Sequence, residues 1–158
     1  MIIRVASPAD APRIAEIYAP AVVDHVTSFE LTPPDAVEFE KRIARILVNL
    51  PWLVVESAGD VLGYAYAAPH HERAAYRWSV DVSAYISARS HRRGLGTALY
   101  VSLFEILALQ SFRNGYAGIT LPNSASEGLH RRFGFTLVGV YHHQREIPKE
   151  AVVHRRTG

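Results

Sequence analysis

The spacing of hydrophobic and polar residues predicts one strand and two helices in the first third of the chain. Residues 2–6 form a short β-branched run that is typical of a strand. Apolar residues then recur at helical spacing after Ser7, which suits an N-cap, and Pro8, which suits the first helical position. A second helix is predicted from about 35 to 48, behind a loop with two prolines.

Strands dominate the middle third. Residues 51–57 and 61–69 are apolar runs joined by a short glycine-containing turn, which predicts a β-hairpin. Residues 76–87 alternate over a similar length and are predicted to form a third long strand. Trp52 and Trp78 lie on these strands and are expected in the core.

The last third alternates between helix and strand. We predict an amphipathic helix at 94–110, a strand at 115–120, a helix at 121–134 and a strand at 135–141. A hairpin and crossover helices in one chain imply a mixed central β-sheet flanked by helices. The fold class predicted is therefore a single α/β (α+β) domain.

Composition agrees with one globular domain. The 158 residues are 49% hydrophobic and 20% charged, which allows a sizeable core. No apolar stretch approaches the roughly 20 residues of a membrane span, and the N-terminus turns polar at once, so we expect a cytoplasmic protein without signal peptide or anchor. With no cysteine, the chain has no disulfide, thiolate nucleophile or Cys-ligated metal.

Basic residues are clustered although the net charge is only +2. One cluster, in the segment SHRRGLGTALY at 90–100, stands where a strand ends and a helix begins. A helix start exposes unpaired N–H groups and the positive end of the helix dipole. Gly94 and Gly96 allow close approach to the backbone, and Arg89, Arg92 and Arg93 can pair with phosphates. This pattern favours an anion site over a glycine-rich turn with exposed cations.

Two common phosphate-binding motifs do not fit this segment. A P-loop needs Lys before its Ser or Thr, whereas Thr97 follows Gly96 directly, and a dinucleotide fingerprint needs glycine or alanine where Leu99 stands. The segment instead resembles the acetyl-CoA pyrophosphate loop of the GNAT superfamily of N-acetyltransferases, Gln/Arg-x-x-Gly-x-Gly/Ala. His91 stands at the Gln/Arg position and retains a hydrogen-bond donor.

Further segments resemble the phosphinothricin and methionine sulfoximine N-acetyltransferases from about residue 2 to 140. The matching pieces are IYAPAV, TSFE, LPWLVVE, GYAYAAP, RAAYRWSVDVSAYIS, HRRGLGTALY and LPNSASEGLHRRFGF. The resemblance implies direct acetyl transfer from acetyl-CoA, as co-substrate, to the α-amino group of a small amino acid. It also implies a homodimer.

The same resemblance assigns residues to the two substrates. It implies pantetheine contacts by the backbone of Ala84, Tyr85 and Ile86. The pyrophosphate contacts and a further cofactor hydrogen bond fall to Arg92, Arg93, Gly94, Leu95, Gly96, Thr97 and Asn123. The acceptor amino acid is implied to contact Phe29, Arg73, Ala74, Ala75 and Tyr76. Arg73 suits a carboxylate, although a surface ion pair would equally explain it.

Two titratable residues are candidates for the chemistry. Asp81 aligns with the family's Glu and sits between two valines of a predicted central strand, where it can act as the base that deprotonates the amine, through a bridging water. A structural carboxylate satisfied by backbone N–H groups is the alternative. His130 can serve as acid, hold substrate, or be a neutral packed histidine. An oxyanion would be stabilised by a backbone N–H near Ile86.

No metal site is expected. The pairs His70–His71 and His142–His143 are adjacent, so on a strand they point to opposite faces, and no His-x-x-x-His spacing occurs. No partner beyond substrate, acetyl-CoA and a second copy is expected. A nucleic-acid module, based on the arginine clusters, is a third-ranked function.

The resemblance ends after residue 140. We therefore divide the chain into an N-acetyltransferase domain at 1–140 and a divergent tail at 141–158, of truncated or frame-shifted origin. The tail is polar and broken at Pro148, so the family's last strand is expected to be missing or altered. This leaves the alternative of a CoA-binding domain with lost or changed acceptor specificity, toward another amine or a protein N-terminus.

Overall fold

The computed structural model describes most of the chain. The described residues are 1–23, 30, 32–71, 76–141 and 150–156. They form seven strands, β1 to β7, and four α-helices, α1 to α4. In chain order these are β1 (Ile2–Val5), α1 (Ala11–Val23), α2 (Ala36–Leu47), β2 (Trp52–Ser57), β3 (Asp60–Pro69), β4 (Ser79–Ile86), α3 (Leu95–Leu109), β5 (Asn114–Thr120), α4 (Ser124–Arg132), β6 (Thr136–Tyr141) and β7 (Glu150–Arg156).

The strands form one mixed sheet in the order β1-β2-β3-β4-β5-β7-β6. Every neighbouring pair is antiparallel except β4 and β5, which run parallel. The parallel pair is connected through α3, as a parallel crossover requires. The predicted mixed sheet flanked by helices is confirmed.

Two hydrophobic clusters cover the two faces of the sheet. On one face α1 and α2 pack through Ile14, Ile43 and Phe39 against Trp52 and Tyr64. On the other face α3 packs through residues at helical spacing, including Leu95, Leu99, Leu103 and Leu107. Strand residues therefore alternate between two cores, which explains why β2 is buried along most of its length.

Two details of the middle third differ from the prediction. The long strand begins at Ser79 instead of residue 76, because residues 76–78 form a short turn whose last carbonyl, of Trp78, accepts the N–H groups of Arg113 and Asn114. The Trp78 side chain is 42% exposed and lies against the guanidinium of Arg77, so its expected place in the core is wrong. Trp52 is buried as expected.

The tail contributes a strand that the sequence reading did not anticipate. β7 lies between β5 and β6 and pairs with both, from Glu150 to Arg156 along β5. The expectation that the last strand is missing is therefore wrong. Its sequence, EAVVHRR, is polar except for one short apolar stretch, so its composition does not predict a strand. The strand is stabilised by hydrogen bonds to β5 on one side and β6 on the other.

Candidate active site

The parallel strands β4 and β5 separate partway along their length. They pair over three residues only, ending at Asp81 opposite Tyr116. Beyond this point β5 continues its pairing with β7, whereas β4 pairs only with β3 on its other side. The result is a fork in the middle of the sheet, with backbone groups of β4 that no strand covers.

The register shows which backbone groups of β4 face the fork. The N–H of Ser87 donates to the carbonyl of Leu62 at 2.8 Å, so Ser87 faces β3. The backbone N–H and C=O groups of successive strand residues point to alternate neighbouring strands. Those of Ala84 and Ile86 therefore point into the fork, and those of Tyr85 point to β3. The predicted backbone contact of Tyr85 with pantetheine is thus not supported by the register, whereas those of Ala84 and Ile86 are available.

Tyr85 has a packing role instead. Its ring lies edge-on to Tyr18, with 5.0 Å between ring centroids, and is stacked near Tyr64 at 5.3 Å. A side chain on Gly63, which pairs with Ile86, would begin 2.9 Å from the carbonyl oxygen of Tyr85 and 2.5 Å from the Ile86 side chain, so only glycine fits there. These contacts fix the end of β4 against β3 and leave the fork side open.

The glycine-rich loop connects the fork to α3. Gly94 is the N-cap of α3 with φ 74°, a left-handed conformation that glycine adopts without strain. The first backbone hydrogen bond of the helix runs from Ala98 to Gly94, so the N–H groups of the residues between them are left for a ligand. The helix start is built as an anion site, with the positive end of a fifteen-residue helix behind it.

His91 ties this loop to the fork. Its Nε2–H donates to the carbonyl oxygen of Ile86 at 2.9 Å. The carbonyl of Ile86 is therefore satisfied, and its N–H remains on the fork side. The residue that departs from the family's Gln/Arg pattern thus still acts as a donor, as expected from its side chain.

Exposed cations surround the loop. Arg92 and Arg93 have no ion-pair partner among the described residues, and Arg92 adopts φ 61°, an uncommon value for a residue with a side chain. Arg132, on α4, donates to the hydroxyl of Thr97 at 3.3 Å and brings a further cation to the loop. The sequence alone gives Arg132 no role in the site, because its approach to Thr97 depends on helix packing.

Asn123 begins the helix that faces this loop. Its side-chain oxygen accepts the amide N–H of Ser126 at 3.1 Å, which makes it the N-cap of α4. The side-chain NH₂ group is left as a donor. A hydrogen bond to the cofactor is therefore compatible with its capping role.

Asp81 lies at the apex of the fork and is held by a histidine. Nδ1–H of His70 donates to Oδ1 of Asp81 at 2.6 Å. The His70 side chain is 17% exposed and that of Asp81 46%. Burial raises the pKa of the Asp81 carboxyl above its ordinary value, and the hydrogen bond from His70 opposes that rise. An ionised carboxylate held in this way, with one oxygen uncommitted to His70, can accept a proton.

Aromatic rings hold His70 in place. Its ring stacks on Tyr116 of β5, with 4.0 Å between centroids and 8° between planes. Tyr116 in turn contacts His154 of β7 at 4.6 Å. Tyr76, a predicted substrate contact, lies edge-on to His70 at 5.5 Å. The structure thus brings Tyr76 and Asp81 together through His70, which sequence reading had considered only as a metal ligand.

A cavity of about 230 Å³ opens beside these residues, between α2 and the sheet. Aromatic and basic side chains line it, including Trp52, Tyr66, Arg42 and Arg45. Ala68 also lines it and pairs directly with Asp81 across β3 and β4. The cavity therefore reaches the strand position next to the candidate base.

His130 has the contacts of a packed histidine. It is 5% exposed, Nδ1–H donates to the carbonyl of Ser126 at 2.8 Å, and Nε2 accepts from the Tyr100 hydroxyl at 2.9 Å. Burial lowers its pKa, and burial raises that of Tyr100, so the histidine is neutral and the phenol is a donor. With both ring nitrogens used inside the protein, the geometry favours the packed-histidine alternative over the acid.

Several predicted residues lie outside the described residues, namely Phe29, Arg73, Ala74 and Ala75. Their assignment to the acceptor stays a prediction. Within the described ranges no group of three or more His, Asp or Glu side chains lies close enough to hold a metal ion. No helix in the same ranges has both the length and the apolar character needed to cross a bilayer.

Comparison with known proteins gives one family and several relatives. The model of the acetyltransferase (GNAT) domain family matches residues 3–152. The phosphinothricin N-acetyltransferase of Streptomyces viridochromogenes is 36% identical over 137 residues, which is 87% of this chain and 75% of that protein. The match to the family extends past residue 140 into the tail.

Solved structures agree over nearly the whole chain. The GNAT superfamily phosphinothricin acetyltransferase of Sinorhizobium meliloti, solved in complex with AcCoA, is 35% identical with a TM-score of 0.90, covering 99% of this chain and 88% of that one. The ribosomal-protein-alanine N-acetyltransferase of Brucella melitensis is 27% identical with a TM-score of 0.92, covering 99% of both chains.

Proposed function

The chain belongs to the GNAT acetyltransferase family and is an N-acetyltransferase, and on this premise we propose that it acetylates the α-amino group of a small amino acid of the phosphinothricin or methionine sulfoximine type. The observation that carries the proposal is the position of Asp81, at the apex of the fork between β4 and β5. A thioester lying in the fork would end beside Asp81, and the amine that attacks it must first lose a proton to a base.

The proposed donor is acetyl-CoA, bound along the fork. Its diphosphate lies against the free N–H groups of residues 95–97 and is paired by Arg92 and Arg93, while its pantetheine amides run beside Ala84 and Ile86 as an extra strand would. The S. meliloti relative that holds AcCoA supports this donor. No resident metal is part of the proposal.

The proposed transfer is direct. Asp81 accepts a proton from the ammonium, and the amine nitrogen forms a bond to the carbonyl carbon of the thioester. The oxyanion accepts a backbone N–H of β4 that faces the fork close to the thioester carbonyl. The nitrogen then releases its second proton to solvent as the C–S bond breaks, and the thiolate takes up a proton from solvent. No covalent acyl-enzyme is expected, since the chain has no cysteine and no Ser/His/Asp motif.

The acceptor is proposed to occupy the cavity beside Ala68 and the surface near Tyr76. Arg45 and Arg42 line the cavity, although Arg42 already pairs with Glu30 and Glu38, so Arg45 is the better partner for an acceptor carboxylate. Arg73 belongs to the same proposal through the family resemblance. A homodimer, which the resemblance implies, is also part of it.

A protein N-terminus is the second candidate acceptor. It is favoured by the high structural similarity, TM-score 0.92, to a ribosomal-protein-alanine N-acetyltransferase. Free amino acids and N-terminal peptides differ at the carboxylate, which is free in the first and an amide in the second.

The test is an acceptor screen with detection of the free thiol of CoA. Phosphinothricin, methionine sulfoximine, methionine sulfone, other amines and an alanine-starting peptide are compared by kcat/KM. The proposal predicts the highest value for one of the first three. A peptide preference would favour the second candidate, and acetyl-CoA binding without turnover on any amine would favour a CoA-binding domain that has lost catalysis.

A further inference from the structure

His70 stands out among the titratable groups that the family pattern leaves without a role. It comes from the loop after β3, eleven residues before Asp81 in the chain, and reaches that carboxylate across the strand pair. We propose that His70 is a positioning residue for the base, which commits Oδ1 of Asp81 and presents Oδ2 to the acceptor amine. This inference rests on the proposed function.

The geometry of the hydrogen bond supports the claim that His70 commits Oδ1 of Asp81. A carboxylate oxygen can only accept, so Nδ1 of His70 must carry the hydrogen in the 2.6 Å contact. Oδ1 is thereby occupied from one side. Asp81 has a short side chain, so its reach toward an amine depends on its orientation, and a fixed rotamer has a direct effect on proton removal.

The ring stack supports the claim that His70 holds Asp81 in a fixed orientation. The His70 ring is stacked nearly parallel on the Tyr116 ring, and Tyr116 is the β5 residue in direct register with Asp81. The imidazole is thus fixed by the same pair of strands that defines the fork. A hydrogen-bond donor on a rigid base orients its partner at little entropic cost.

Other polar groups face this pair from several elements. His71 and Tyr76 contact the His70 ring from its own loop, at 4.3 Å and 5.5 Å between centroids. Tyr66 of β3 is electrostatically coupled to Asp81, and His154 of β7 lies behind Tyr116. Among these described groups, only His70 is hydrogen-bonded to the carboxylate. Glu72 and Arg73 of the same loop lie outside the described residues.

Two variants separate the donor from the ring. His70→Phe keeps an aromatic ring over Tyr116 but has no donor. His70→Asn loses the ring but places an amide N–H the same number of bonds from the backbone as Nδ1 of histidine. Circular dichroism and acetyl-CoA binding check that both variants fold like the wild type.

The first readout is the pH profile of kcat/KM with the acceptor found in the screen. Burial raises the pKa of Asp81, and without the His70 donor nothing from that side chain opposes the rise. The carboxylate is then protonated at higher pH. In His70→Phe the acidic limb is expected to move to higher pH, with about a tenfold loss at the acidic end relative to the alkaline plateau. His70→Asn is expected to keep the wild-type limb. Identical limbs in all three proteins would overturn the inference.

The second readout does not depend on turnover. A ¹³C NMR titration of the Asp81 carboxyl is expected to give a higher midpoint in His70→Phe than in the wild type and in His70→Asn. Equal midpoints would overturn the inference, whatever the activity. If the wild type acetylates no amine while the midpoints differ as expected, the proposed function fails and the coupling of His70 to Asp81 stands.

Discussion

At the scale of single residues, Asp81 and His130 lie in environments that move their pKa values in opposite directions. Asp81 is placed where β4 and β5 part, in a site that raises its pKa, with His70 opposing the rise. His130 is enclosed between Tyr100 and the carbonyl of Ser126, in a site that lowers its pKa. The first environment suits proton transfer, and the second suits a neutral structural group.

Replacing Asp81 tests its role as base. Asp81→Asn keeps the shape of the side chain but cannot accept a proton, so kcat is expected to fall by about 10²- to 10⁴-fold. Binding of acetyl-CoA, measured by calorimetry, should be unchanged, because the diphosphate loop lies apart from Asp81 along the fork. Glu105→Gln, an exposed acid on α3, is the matched control with wild-type kcat. A kcat within a few-fold of wild type in Asp81→Asn would contradict the assignment.

His130 makes stability depend on pH in a defined direction. Its folded-state pKa lies below the ordinary value of 6.5, so the unfolded chain binds a proton at higher pH than the folded chain. The contribution of His130 to stability is therefore present above pH 6.5 and is lost as the pH falls through the folded-state value. The free energy of unfolding in urea should decrease more between pH 7.5 and 5.5 in the wild type than in His130→Gln. Equal decreases in both proteins would show that burial of a neutral His130 is not the cause.

At the scale of elements, the loop before α3 and strand β7 differ most in how well the sequence predicts them. The loop could be predicted, because glycines and arginines at a helix start are a local signal with a physical reason. β7 could not, because Val152 and Val153 are its only large apolar residues and its position between β5 and β6 is fixed by long-range pairing. The His70–Asp81 contact was missed for the same reason, since it depends on the register of β3 and β4.

Two glycine substitutions separate backbone strain from packing in the loop. Gly94→Ala places a side chain on a residue with φ 74°, which costs about 1 kcal/mol and disturbs the helix start, so the Kd for acetyl-CoA should rise about fivefold. Gly96→Ala lies inside α3, where its added methyl meets the Leu129 side chain at 3.3 Å and the Ile86 side chain at 4.0 Å, without a left-handed backbone. Its Kd should therefore rise less than that of Gly94→Ala. Calorimetry measures both values, and the opposite ranking would contradict the assigned geometry.

Neighbouring valines test whether β7 is packed as described. Val153 is 9% exposed and belongs to the core on the α3 face, so Val153→Ala should lower the free energy of unfolding by about 1.5 kcal/mol. Val152 is less buried and points to the opposite side, so Val152→Ala should cost less. Urea unfolding at constant pH gives both values. Equal small losses would mean that the strand does not contribute to the core.

At the scale of the whole molecule, helices cover both faces of the sheet and the fork opens within it. The antiparallel pairs on either side keep β4 and β5 in place while the two strands diverge, and α3 fills the crossover between them. Apolar and alternating runs for the strands and helical spacing for α1 to α3 were sufficient to predict a mixed sheet flanked by helices, but not β7 or the strand order. The acceptor side was less predictable, because its cavity combines residues of α2, β2 and β3 that no local motif connects.

The central claim is that the fork and the start of α3 together bind acetyl-CoA. The most direct test is a crystal structure of this chain with acetyl-CoA. The account predicts the diphosphate on the amide N–H groups of residues 95–97, with Arg92 and Arg93 beside it, and the acetyl group ending near Asp81. A diphosphate bound elsewhere, or those amides occupied by groups of the protein itself, would contradict it.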